Sequence, residues 1–172
     1  MPNVLTIVQN TPLWVFALLI LLIFLGVQAL RPRTIPVRRL LIVPGVFIAW
    51  GLATLAQRSV GSPILLLDWL AVCAAGWSIG WRITRLDGVA FDRALGIVQV
   101  PGSAFPLVRN LVIFAAKYGL AAAMAIAPAA RGELIFWDVG VSGLTAGYFL
   151  GWLVRFALKY RGTGDDRALA SR

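Results

Sequence analysis

Blocks of apolar and polar residues alternate along the chain, giving five long apolar runs separated by short polar or proline-containing segments. The runs cover about residues 11–30, 40–57, 63–81, 105–127 and 134–158. At 1.5 Å of rise per residue, each is close to the roughly 30 Å of a bilayer's hydrocarbon. The connection over about residues 86–103 differs in kind. Asp87-Gly88 opens it, Val89-Ala90-Phe91 and Ile97-Val98-Gln99-Val100 carry strand patterning, and Pro101-Gly102 closes it. The expected fold is all-α: a polytopic transmembrane bundle of five helices with a small cytoplasmic β-hairpin between helices three and four. Residues 1–172 form a single membrane domain on this reading, with 161–172 a mobile polar tail.

Composition sharpens this picture. Of 172 residues, 60% are hydrophobic and 13% charged, whereas a soluble domain is roughly half apolar and about a quarter charged. No basic residue precedes the first run and no small-residue cleavage site follows it before Arg31, so a retained helix is expected rather than a signal peptide. Charge sets the orientation. On the side of the Arg31 to Arg39 turn lie Arg31, Arg33, Arg38, Arg39, Arg82, Arg85, Arg93, Arg109, Arg155, Lys159, Arg161, Arg167 and Arg172; the other side holds Arg58 and Arg131. The positive-inside rule puts the N-terminus outside and the C-terminus inside. The net charge of +9 is spread over short turns, which points to anionic lipid contacts at Arg31, Arg33, Arg38 and Arg39 and not to nucleic acid. Trp14, Trp69 and Trp137 fall near outer ends and Trp81 and Trp152 near inner ends, as interface anchors do; Trp50 and Trp77 lie deeper, where they pack between helices.

Several chemistries are missing. The chain has no histidine, which removes the usual haem ligand and the triad-type base. A lone Cys73 excludes an intrachain disulfide and a cysteine cage, and no phosphate-binding glycine loop occurs. The expectation is no enzyme, no cofactor and no metal.

Three ionisable residues sit inside apolar runs: Asp68, Lys117 and Asp138. Each costs at least about 2.5–3.5 kcal/mol at mid-span, so each needs a partner or a purpose. Asp68 and Asp138 fall at similar depths, roughly 8 Å from the outer surface, and Lys117 at about 15 Å. Positions i, i+4 and i+7 share a helix face, which aligns Asp138, Ser142 and Thr145 on the fifth run and Trp50, Thr54 and Gln57 on the second, with Asn110 and Lys117 on one stripe of the fourth. These stripes converge on a polar pocket whose candidate ion- or solute-binding residues are Asp68, Lys117, Asp138, Ser142, Thr145, Thr54 and Gln57. The plainer alternative is structural: a buried lysine with acidic partners and hydroxyls bonding across helices lock helix order and rotation.

Helix contact is marked by small residues. Gly143, Gly147 and Gly151 form a stripe on the fifth run, Gly76 and Gly80 on the third, and Ala115, Gly119 and Ala123 on the fourth. Such stripes let backbones approach closely, within the chain or across a homo-oligomer or a membrane-protein partner. An internal echo relates Ile35-Pro36-Val37-Arg38-Arg39-Leu40-Leu41 to Phe105-Pro106-Leu107-Val108-Arg109-Asn110-Leu111, 70 residues later, as two parallel hairpins with a fifth helix added would do.

The Arg31-Pro32-Arg33 turn with Arg38-Arg39 and Pro44 after it, the Asp87-Gly88 hairpin ending in Pro101-Gly102-Ser103, and Arg109 opening the next helix resemble a group of small, uncharacterised bacterial inner-membrane proteins, and more remotely the CcdC-like family. The resemblance implies a polytopic fold with a small cytoplasmic hairpin in a bacterial inner membrane. It supplies no catalytic residues. Three functions follow as expectations: a small transporter or channel-like protein using the polar pocket; a non-catalytic membrane subunit or assembly factor; and, least favoured, an intramembrane aspartic enzyme using Asp68 and Asp138.

Overall fold

Every apolar run becomes a helix in a computed structural model of the chain, which describes residues 9, 11–58, 61–84, 86–92 and 95–170, with side chains to 162. Helix α1 spans Leu13–Gln28, strand β1 Arg33–Pro36, helix α2 Val37–Arg58, helix α3 Pro63–Ile83, strands β2 and β3 Ala90–Asp92 and Ile97–Val100, helix α4 Phe105–Ile126 and helix α5 Arg131–Ala170. Prolines mark the starts of α1, α3 and α4, where a missing N–H leaves no helical bond unmade. Helices α2 to α5 are long and apolar enough to cross a membrane; α1, with 16 residues, is shorter.

Hydropathy marks the apolar runs, and α2, α3 and α5 outrun them. Helix α2 takes in Arg38 and Arg39, and α5 opens with Arg131, Gly132 and Glu133, a carboxylate that complements the positive end of the helix dipole. Helix α5 also continues past Leu158 to Ala170, through the segment expected to be a tail. No proline follows Leu158 to stop it.

The chain divides into two compact units. The first joins Met1–Pro32 to Gly102–Asp138. Here α1 packs antiparallel to α4: Thr11 Oγ1 and the Tyr118 hydroxyl share a hydrogen bond of 2.8 Å, while Gly26 lies against Leu107 in the first turn of α4. A Cβ on Gly26 would come within 2.4 Å of Leu107 Cδ1. The Ser103 amide donates to the Ala29 carbonyl at 2.8 Å, satisfying one of the acceptors a helix end leaves open.

The second unit joins Arg33–Pro101 to Val139–Arg172. Helices α3 and α5 run parallel in it, backbone on backbone. A Cβ at Gly143, Gly147 or Gly151 would meet the carbonyl oxygen of Trp69, Cys73 or Trp77 at 2.7, 2.0 or 2.2 Å, and one at Gly76 or Gly80 that of Leu144 or Tyr148 at 2.2 or 2.1 Å. Glycine Cα hydrogens therefore face carbonyls of the neighbouring helix, contacts of roughly 0.5–1 kcal/mol net each. Helix α2 takes another face of α5, with Phe47 stacked on Phe149 at 4.9 Å between centroids and Gly51 against Ala146. The rings of Trp69 and Trp77 reverse the roles expected of them. Trp69 shares the buried face of α3 with Gly76 and Gly80, seven and eleven residues on, whereas Trp77, one step round from Gly76, is 43% exposed.

A three-stranded antiparallel sheet of order β1-β3-β2 stands where a two-stranded hairpin was expected. The added strand comes from the Arg31 to Arg39 segment. Its register pairs Ile35 with Val98, which also faces Phe91 on β2. These three make one buried row, with Thr34, Gln99 and Ala90 exposed on the opposite face. Proline is tolerated on an edge strand, where Pro36 sits opposite Ile97. The Val37 amide then donates to Gly96 at 3.0 Å, so β1 runs straight into α2. Leu86, Phe91, Val98 and Phe156 form the core of this layer, with Val37 and Leu40 of α2 and Trp152 and Tyr160 of α5 packed around it. On α5, Trp152, Phe156 and Tyr160 stack one turn apart at 5.2 and 6.3 Å, and Phe91 meets the latter two edge-on.

Candidate functional site

The helices bury polar groups alongside apolar ones and leave many aliphatic side chains exposed. The one residue of α4 that is buried is Asn110, 2% exposed, whereas Val108 and Val112 on the same helix are 56% and 62% exposed. Elsewhere Thr54, Asp138, Ser142 and Thr145 are buried while Ile42, Leu67 and Leu70 are exposed. This distribution places the polar side chains where helix faces meet.

In the first unit the Lys117 ammonium donates to the Asp138 carboxylate, with the two side chains 11% and 8% exposed. It also lies 3.4 Å from the main-chain carbonyl of Asp138. Lysine's four-carbon stem makes the reach despite the backward lean of helical side chains. The pair ties mid-α4 to the early turns of α5 with opposite charges in contact, the arrangement that offsets desolvation of each ion. Arg109 Nε and Nη2 donate to Asn110 Oδ1 at 3.2 and 3.1 Å, and the guanidinium lies over the Phe105 ring.

In the second unit the Trp69 indole donates to Ser142 Oγ at 3.1 Å, and Ser142 donates onward to the Val139 carbonyl at 2.8 Å. Thr145 donates to the Val141 carbonyl at 2.8 Å. Thr54 is buried on α2, and Gln57, near the end of that helix, is exposed. Asp68 stands apart. Its Oδ2 is buried and has no hydrogen-bond partner among the described residues. The atom lies 3.5 Å from the position a Cβ on Gly140 would take, so a glycine on α5 leaves the space it occupies. The seven polar residues grouped from the sequence are thus divided, Lys117 and Asp138 in the first unit and Asp68, Thr54, Gln57, Ser142 and Thr145 in the second.

The glycines divide as well. Gly76, Gly80, Gly143, Gly147 and Gly151 all sit at the α3–α5 contact, whereas nothing lies within 4 Å of a Cβ built on Gly119. Among the basic residues, Arg31, Arg38 and Arg39 are exposed and Arg33 is half-buried. Burial, and behind it the charge of Arg39, lowers the Arg33 guanidinium from its ordinary range. The side chains of Arg85, Arg93, Arg167 and Arg172, and the Ser59-Val60 part of the second loop, lie outside the described residues. Arg155 and Lys159, counted in the sequence only as inside charges, donate to the carbonyls of Trp81 and Leu86. Their spacing of four on one helix was the available signal that they act together, at the carbonyl-rich exit of α3. Among the described residues no group of three or more His, Cys, Asp or Glu is placed to hold a metal ion.

No curated protein and no solved structure matches the chain. Residues 1–168 match the model of a family of unknown function, DUF6622, and the chain belongs to that family.

Proposed function

We propose that this protein is embedded in a bacterial inner membrane, N-terminus outside and C-terminus in the cytoplasm, and acts as a small transporter or channel-like protein in which Asp68 meets the transported ion or solute. Buried polar groups beneath exposed aliphatic surface support the membrane part, because lipid reverses the sorting that water imposes. The transport part rests on one observation, the buried and unpartnered Asp68 Oδ2 within an apolar helix. Such an atom costs free energy unless something satisfies it, and intramembrane carboxylates mark ion and substrate paths. An acceptor-only oxygen suits a small cation or a neutral solute that donates a hydrogen bond. Lys117 and Asp138 satisfy one another and take the structural part.

The test is flux of monovalent cations and small hydroxylated solutes into liposomes containing the purified protein. A flux that Asp68→Asn abolishes, with the fold retained, supports the reading; equal flux with and without the substitution removes its basis. A second reading, a non-catalytic subunit of a membrane assembly, draws on the exposed Ala115 and Gly119 of α4 and the open space beside Gly119. Monomeric recovery in mild detergent, with no co-purifying partner, counts against it.

A further inference from the structure

One end of the second unit gathers positive charge around the sheet. Val37 and Leu40 from the first turn of α2, Leu86 just after α3, and Trp152, Phe156 and Tyr160 of α5 all pack on the sheet's core. Exposed arginines follow from that packing: Arg38 and Arg39 in the first turn of α2, Arg82 in the last turn of α3 and Arg161 next to Tyr160. Half-buried Arg33 on β1 adds to them and feels the charge of Arg39. Among the described side chains, the acids at this end are Asp87, which is exposed, and Asp92, whose carboxylate accepts the Leu95 amide at 3.1 Å. Cations held together with so few acids among them repel, and a layer of anions relieves that repulsion.

The identity of the anion follows from what borders the arginines. Immediately beyond them each helix exposes aliphatic side chains: Leu41 and Ile42 on α2, Ile79 and Ile83 on α3, Val154 and Leu158 on α5. Exposed cations next to exposed aliphatics match the boundary of a bilayer, where phosphates border acyl chains. A nucleic acid or an acidic protein surface offers the charge without the adjoining hydrocarbon.

We propose that the sheet-bearing end of the second unit is a docking surface for anionic phospholipid headgroups, with Arg38, Arg39 and Arg82 as phosphate contacts. The inference rests on the membrane location proposed above and is independent of transport. The full chain in non-ionic detergent micelles, titrated with phosphatidylglycerol or with phosphatidylcholine of equal chain length and analysed by native mass spectrometry, tests it. The expected result is preferential retention of phosphatidylglycerol, falling about five-fold for each of R38Q, R39Q and R82Q, with the thermal midpoint unchanged and with R58Q, at the far end of α2, keeping the preference. Equal retention of the two lipids, full preference in the triple variant, or an oligonucleotide that displaces phosphatidylglycerol at matched charge concentration overturns it. Release of the protein from cells without detergent sinks the membrane reading, whereas a detergent-requiring protein indifferent to headgroup charge sinks this inference alone.

Discussion

Gly147 and Gly119 are both glycines in apolar helices, and their surroundings differ completely. A methyl group on Gly147 would lie 2.0 Å from the Cys73 carbonyl oxygen, a backbone atom, whereas one on Gly119 meets nothing within 4 Å. Gly147→Ala should therefore lower the unfolding free energy in micelles by the upper part of the roughly 1–3 kcal/mol that overpacking costs, and Gly119→Ala should leave it unchanged or raise it by up to about 1 kcal/mol through helix propensity. Equal effects would contradict the packing described. Lys117 offers a second residue-level test. Lys117→Met strands the Asp138 carboxylate in a buried site, at about 3–5 kcal/mol, while Lys117→Met with Asp138→Leu removes both charges and should recover most of that loss. Additive losses in the double variant would show that the two side chains are not coupled. The spacing of four among the glycines and the need of Lys117 for a carboxylate were both legible in the sequence. Which carboxylate was not, because Asp68 and Asp138 fall at the same expected depth. Periodicity says which residues share a face and is silent on which helix that face meets.

At the scale of elements, the sheet is where local pattern was hardest to read. Strands β2 and β3 announced themselves by their turns, yet β1 carries two residues of alternation, Thr34 and Ile35, beside a proline. Its evidence is tertiary: Ile35 is buried because Val98 lies opposite. The two members of the internal echo differ at their first residues, where Ile35-Pro36 ends a strand and Phe105-Pro106 begins a helix, and both then continue as helix. Val98, 0% exposed at the centre of the row, should therefore hold the layer together. Val98→Asp buries an unpaired carboxylate there and is expected to release the sheet. Hydrogen exchange should then lose protection across β1, β3 and the first turn of α2, where the Val37 amide bonds to Gly96, with α1 and α4 unchanged. Loss of protection confined to β2 and β3 would mean that β1 does not depend on this row.

For the whole molecule, the decisive question is whether α1 crosses. Its 16 residues span about 24 Å against roughly 30 Å of hydrocarbon, so length alone argues for four crossings and both termini on one side. Packing argues otherwise. Thr11 meets Tyr118 and Gly26 meets Leu107, so α1 lies alongside α4 over most of its own length, and α4 is long and apolar enough to cross. A bilayer that contains α4 therefore contains α1, and the apolar Ala29 and Leu30 beyond its end extend the covered stretch. On the proposed membrane reading, five crossings would put the termini on opposite sides, and the positive-inside rule would put the arginine-rich, sheet-bearing end in the cytoplasm. In intact spheroplasts an N-terminal tag should be cleaved by added protease and a C-terminal tag protected. In a Cys73→Ala background, Ser62→Cys should react with an impermeant maleimide, and Thr34→Cys only after permeabilisation. Both tags protected would leave α1 outside the count of crossings, and reaction of Thr34→Cys in intact cells would invert the orientation and, with it, the leaflet that the arginines face.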